Sequence, residues 1–251
     1  MLSMCGGCAL LLASCSGRDD AARGISLESF SYESYAELEI PDSLLSDEEG
    51  SRFMQFRGGG MLPVAGKDEK LVALRDSLLR MTSVEFTEKG ECAPVPDPEL
   101  KVVKLSADSV AACGLSTNML TVVLATPEAV VWEDYSYAYM CGAAHGNAAC
   151  RYLNYSLGDG TILSLDDLMT TGYRDSLTEL LRSRLADRED IFEDAEIGIP
   201  GQFRITSDGL QFVYQQYEIA PYSSGIIRVD LAAYELGDLL SARGRTLILG
   251  E

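Results

Sequence analysis

From residue 135 the chain reads YSYAYMCGAAHGNAACRYLNY, with Tyr135, Tyr137 and Tyr139 at every second position before a small-residue centre and alternation again after it. A period of two marks strands with one buried face, so the stretch predicts two antiparallel strands joined by a tight turn. Placing the turn at His145 and Gly146 sets Cys141 opposite Cys150 and Tyr139 opposite Tyr152. That cysteine rung is of the non-hydrogen-bonded kind, with Cα atoms about 4.5 Å apart, near the lower limit a disulfide accepts.

Elsewhere the same reading gives a strand over 25–40, ended by Pro41, and a loop over 42–66 that includes Gly58-Gly59-Gly60. Leu71, Leu74, Leu78 and Met81 recur at helical spacing within 68–82. Prolines 94, 96 and 98 mark a turn-rich segment, 100–105 a short strand, and 118–139 a long strand or strand pair interrupted at Pro127. A capped helical start follows at 164–168, then a helix over 173–188 with Leu177, Leu180, Leu181 and Leu185 on one face. Residues 202–215 read as a hairpin turned at Asp208-Gly209, followed by a strand over 226–231 and a helix over 232–240. Strands and helices alternate without βαβ regularity. The predicted class is therefore α+β, an antiparallel sheet with a disulfide-pinned hairpin packed by two or three helices.

Composition changes this picture in three ways. Residues 1–14 form a short apolar segment ending in Leu12-Ala13-Ser14-Cys15, although no Lys or Arg precedes Cys15. A segment of that length before small residues is an export signal, too short to span a bilayer. The tetrapeptide resembles a bacterial lipobox, which implies lipidation at Cys15. The expected organisation is a lipoprotein signal peptide over 1–15, a tether over 16–24, a small α+β region over 25–126 and a second domain over 127–251. Removing Cys5 and Cys8 and lipidating Cys15 leaves Cys92, Cys113, Cys141 and Cys150. An even set in an oxidising compartment suggests two bridges, and of three possible pairings the rung geometry favours Cys141–Cys150 with Cys92–Cys113. Finally, 39 acidic against 20 basic residues give a net charge of −19, which argues against nucleic acid and suits a basic partner.

Candidate chemistry is sparse. One histidine and no C-x-x-C pair after Cys15 leave no usual zinc set, and the triple glycine lacks the Lys-Ser/Thr of a phosphate loop. No G-x-S-x-G is present. No cofactor is expected. His145 at the hairpin tip is a ligand contact or a turn residue. Glu218, between Tyr217 and Ile219, is a general acid or base, or a hydrogen-bonded loop residue. Tyr217 and Tyr222, with Tyr137, Tyr139 and Tyr152, form a recognition face or ordinary sheet packing.

GAAHGN at 142–147, YLNYSLGDG at 152–160 and FRITSDGLQFVYQQYEIAPYSSGIIRVDL at 203–231 together resemble one family, over about residues 135–240. It is the extracellular C-terminal domain of unknown function of RsiV-type anti-sigma factors, found also in PdaC-type cell-wall deacetylases. Ala143 departs from the second glycine usual there. The resemblance implies a lysozyme-sensing or wall-associated module. The expectation is a non-enzymatic, lipid-anchored protein of the cell envelope at the outer membrane, periplasmic or surface-exposed. It would bind a lysozyme-like basic protein or a cell-wall glycan through His145, Tyr217, Glu218 and Tyr222. The alternative is a carbohydrate-active hydrolase using a carboxylate such as Glu218.

Overall fold

The computed structural model describes residues 24–37, 53–86, 92–94, 101–102, 114–140 and 143–250. Cys15, Cys113 and Cys141 lie outside them, as do residues 1–23, where a signal peptide and most of a tether are expected. Seven strands form the main sheet: β1 (Leu27–Glu37), β2 (Phe53–Pro63), β5 (Lys101–Val102), β6 (Gly114–Ala125), β7 (Ala129–Tyr139), β8 (Asn147–Ser156) and β9 (Thr161–Leu163). Their order is β5-β1-β2-β6-β7-β8-β9. β3 (Val84–Phe86) and β4 (Cys92–Pro94) pair separately, and β10 (Gln202–Ile205), β11 (Gly209–Tyr214) and β12 (Ile227–Ala232) form a second, three-stranded sheet. The α+β class holds.

Three expectations are corrected. The main sheet is mixed, because β2 and β6 pair in parallel across the crossover that carries α1 (Glu69–Thr82). Gly58-Gly59-Gly60 lies inside β2 and is no loop. A methyl on Gly58 would stand 2.7 Å from the Tyr32 hydroxyl, and one on Gly60 would strike the Leu120 carbonyl, so close approach and not turning explains these glycines. The hairpin register also differs. Cys150 faces Tyr135 and Tyr152 faces Glu133, while Tyr139 faces Leu115 of β6. Cys141 is therefore not the cross-strand partner of Cys150, whose sulfur is a free, buried thiol. The correction moves the partner of Cys150 by six residues, an even number that leaves every side chain on the same face. Hydrophobic alternation is blind to such a slip. For Cys92–Cys113, only the backbone of Cys92, in β4, is described.

Two cores flank the main sheet. On one face, Leu62, Leu120, Val130, Trp132, Leu153 and Tyr155 pack under Leu74 and Leu78 of α1. Asp68 caps that helix by accepting from the N–H groups of Lys70 and Leu71. Trp132 is fully buried, and its indole donates to the Met61 carbonyl at 3.1 Å. On the other face, Ala129 and Val131 meet α3 (Arg174–Leu185), the second sheet, α4 (Ala233–Leu236) and α5 (Ala242–Leu249). Residues 126 and 127 fall in the turn between β6 and β7, and the sheet continues across them. α5 was not foreseen. Ser241 caps its start by accepting from Gly244 N–H at 3.0 Å, and Gly250 ends it at φ 71.

Candidate functional site

β8 carries the tip of the hairpin, and from residues 147 to 153 β9 does not pair with it. Side-chain amides fill that edge instead. Gln216 accepts from Ala148 N–H at 2.6 Å, Gln215 from Cys150 N–H at 2.9 Å and Gln202 from Tyr152 N–H at 2.8 Å. Asn154 accepts from Ile205 N–H at 2.8 Å and donates to the Phe203 carbonyl at 3.0 Å. A bare edge would invite another strand; here the second sheet covers it. In the seam, the Cys150 thiol donates to Tyr152 Oη at 3.1 Å, and Tyr152 donates to Glu133 at 2.6 Å. Arg204 lies over the Tyr152 ring, 5.7 Å from its centroid. Burial pushes both the thiol and the phenol up from their ordinary pKa values. Tyr152 is thereby a sheet-to-sheet contact, and Tyr137 packs beneath Gly146.

Binding Gln215 and Gln216 to β8 brings the segment after β11 to the hairpin tip. Glu218 N–H donates to the Gln215 carbonyl at 3.1 Å, and the Glu218 carboxylate accepts from Gln215 N–H at 2.7 Å. The turn so closed has Tyr217 third, at φ 66, the left-handed position of a type II turn where glycine is usual. A tyrosine there is strained by roughly 1–2 kcal/mol. It is also 51% exposed. Its hydroxyl lies 3.0 Å from His145 Nε2, while His145 Nδ1 lies 3.1 Å from the Gly146 carbonyl. A carbonyl only accepts, so neutral His145 carries its proton on Nδ1 and Nε2 receives the Tyr217 hydroxyl. The Tyr222 ring stacks on the imidazole at 3.7 Å between centroids and 19° between planes.

Of the four ligand-contact candidates, His145, Tyr217 and Tyr222 thus converge into one aromatic corner. Glu218 does not join them: its carboxylate is engaged in closing the turn. The sequence reading missed the neighbour of this corner, the loop over residues 186–200. It holds Asp187, Glu189, Asp190, Glu193, Asp194 and Glu196 against Arg188 alone. Phe192 N–H donates to the Ile219 carbonyl at 3.0 Å, Arg182 Nε to the Ile197 carbonyl at 3.0 Å, and Tyr214 Oη to the Gly198 carbonyl at 2.7 Å. Arg188, and after it the Ser224 hydroxyl, hold the Asp190 carboxyl below its ordinary range, which ties the loop to the turn at Tyr222. The acid-rich run was visible in the sequence, but its place beside Tyr217 was not. Among the described residues no group of three or more His, Cys, Asp or Glu is placed to hold a metal ion.

Fold and corner together define a two-sheet α+β module whose exposed aromatic tip is clamped by its second sheet. Residues 166–233 match a family model described as a protein of unknown function, DUF3298. The chain is similar in structure to a DUF3298 family member from Bacteroides fragilis, with a TM-score of 0.63 and 18% identity over 88% of this chain and 96% of that one. It is also similar to a DUF3298 family protein from Pseudomonas aeruginosa, with a TM-score of 0.58 and 18% identity over 87% and 95%. At that identity the likeness establishes the fold. No curated protein matches the sequence.

Proposed function

We propose that this chain is a non-enzymatic binding module of the cell envelope, lipidated at Cys15, that recognises a basic protein of the lysozyme type through its aromatic corner. The carrying observation is the conjunction at one end of the molecule. Tyr217 is kept exposed in a strained backbone conformation against His145 and Tyr222, and a rigidly tied acidic loop lies next to it. Strain retained at an exposed residue points to selection for contact and not for stability. Tyrosines give contact area at small entropic cost, and an acidic field speeds encounter with a cationic partner. The RsiV-type resemblance agrees with this reading. Glu218 gives the hydrolase alternative little support, since its carboxylate is occupied by the turn.

Titration calorimetry of the full chain with hen-type lysozyme at two ionic strengths tests the proposal. Binding that weakens as salt rises, and falls at least about tenfold in Tyr222→Ala, is the expected result. Absence of heat at low salt, or wild-type affinity in Tyr222→Ala, rejects it. Binding of peptidoglycan fragments at the same corner in place of lysozyme would assign the module to the wall glycan instead.

A further inference from the structure

His145 is the chain's one histidine, and both of its ring nitrogens are engaged. Nδ1 faces the Gly146 carbonyl at 3.1 Å, and Nε2 faces the Tyr217 hydroxyl at 3.0 Å. Turning the ring over would set carbons against both oxygens, so the two bonds fix its orientation. The partners differ in one respect. A carbonyl only accepts, whereas a hydroxyl either donates or accepts. The bond to Gly146 is therefore the same in either charge state of the imidazole, and the bond to Tyr217 reverses.

With His145 neutral, Tyr217 spends its hydroxyl hydrogen on Nε2, and the lone pairs of its oxygen remain for a donor from outside. Tyr217 is 51% exposed, so such a donor can reach it. When Nε2 takes up a proton it becomes a donor itself. The Tyr217 oxygen then accepts from it, and the hydroxyl hydrogen swings outward. An outward-facing acceptor becomes an outward-facing donor beside a full positive charge. The corner stays assembled, because the Tyr222 ring is stacked on the imidazole and a ring face attracts a cation.

The groups around the imidazole are otherwise neutral or acidic. Residues 143–147 of its own segment, 137–140 at the end of β7 and 221–225 hold no other charged side chain. The segment after β11 brings Glu218, whose carboxylate accepts from Gln215 N–H. The 186–200 loop brings its carboxylates and Arg188, which with Ser224 holds the Asp190 carboxyl below its ordinary range. Between about pH 5 and 8 histidine is the side chain whose charge ordinarily changes.

With the corner read as the binding site of a basic protein, on which this rests, we infer that it holds one cationic side chain and releases it in acid. A lysine or arginine of the partner donates to Tyr217 Oη while His145 is neutral, drawn in by the acidic surroundings. Once His145 is protonated, that donor meets a donor and that cation meets a cation. The sign is therefore fixed: binding is strong above the imidazole titration and is lost as pH falls through it.

Two measurements on the full chain test this switch. Nitrogen-15 NMR of the single imidazole in the free protein should find the neutral form protonated on Nδ1, with the Tyr217 ring signals moving in step with its titration. Calorimetry with hen-type lysozyme at constant ionic strength should show affinity falling at least about tenfold from pH 8 to pH 5, along the same titration curve. In His145→Gln, which takes up no proton there, the gap between the two pH values should shrink below about threefold. Equal affinity at both pH values, a fall that does not follow the imidazole titration, an undiminished fall in His145→Gln, or a neutral form protonated on Nε2 overturns the switch. Those results leave the corner standing as a binding site if Tyr222→Ala still weakens binding at pH 8. No heat at pH 8 removes the binding site and the switch together.

Discussion

The carboxamide of Gln215 holds both backbone groups of Cys150, accepting from its N–H at 2.9 Å and donating to its carbonyl at 2.8 Å. One side chain thus does for β8 what a neighbouring strand does elsewhere in the sheet. The hairpin is fixed by the second sheet at the position where a sulfur staple was expected. Replacing Gln215 by Leu strands two buried backbone groups and should lower stability by about 1–3 kcal/mol. Urea unfolding would show this as a lower midpoint, with faster hydrogen exchange at the Cys150 amide. An unchanged midpoint would mean that water replaces the amide without loss.

Cys150 gives a direct chemical check. Its thiol is buried, and burial raises its pKa, so little thiolate is presented to reagents at neutral pH. Iodoacetamide should leave Cys150 unmodified in native protein and alkylate it in guanidinium without prior reduction, as mapped by mass spectrometry. Alkylation that requires a reductant would restore the staple.

Asp134 and Arg151 should behave as a pair. Burial raises the Asp134 carboxyl, while the charge and hydrogen bonds of Arg151 oppose that rise. Removing the cation alone, in Arg151→Met, leaves an uncompensated buried carboxylate and is expected to destabilise by roughly 3–5 kcal/mol. Asp134→Leu added to Arg151→Met should recover most of that loss. Additive losses in a denaturant double-mutant cycle would show that the two side chains act separately.

Tyr217 separates stability from recognition. Glycine is at ease at φ 66, so Tyr217→Gly relieves backbone strain but also removes the ring and its bond to His145. Thermal unfolding should therefore show stability within about 1 kcal/mol of the parent, or slightly above it, while ligand binding is lost. A large fall in stability would make the corner a structural element.

Acid stability should report Asp167. Its carboxylate accepts from Ser164 Oγ at 2.6 Å and Ser164 N–H at 2.8 Å, bonds that hold its pKa below the ordinary 3.8. A depressed carboxyl contributes stability above its unfolded pKa and loses it as pH falls through the folded value. Asp167→Asn should lower the melting temperature at pH 6 and narrow the gap from the parent as pH drops below about 4. An equal gap at every pH would exclude the charge as the cause.

Local pattern was a reliable guide wherever an element answers to its own neighbours. The leucine stripes of α1 and α3 and the Asp208-Gly209 turn between β10 and β11 were legible because each signal lies within a few residues. Gly58-Gly59-Gly60 misled because glycine marks turns and close approaches alike, and only Tyr32 and Leu120 decide which. His145, Tyr217 and Tyr222 were legible as candidates. Their meeting, and the diversion of Glu218 into the turn, depend on Gln215 and Gln216 reaching a strand some 65 residues away.

The sequence by itself determined the alternation of the β7–β8 hairpin, the apolar stripes of α1 and α3, the acidic balance and the face on which each described hairpin side chain lies. These follow from backbone geometry and composition, which are properties of neighbours along the chain. Register, the parallel β2–β6 pair, the freedom of the Cys150 sulfur and the aromatic corner were decided only in the folded molecule. A six-residue slip keeps all faces unchanged, so its outcome rests on which distant amides satisfy the β8 edge, and that choice exists only once both sheets are in place.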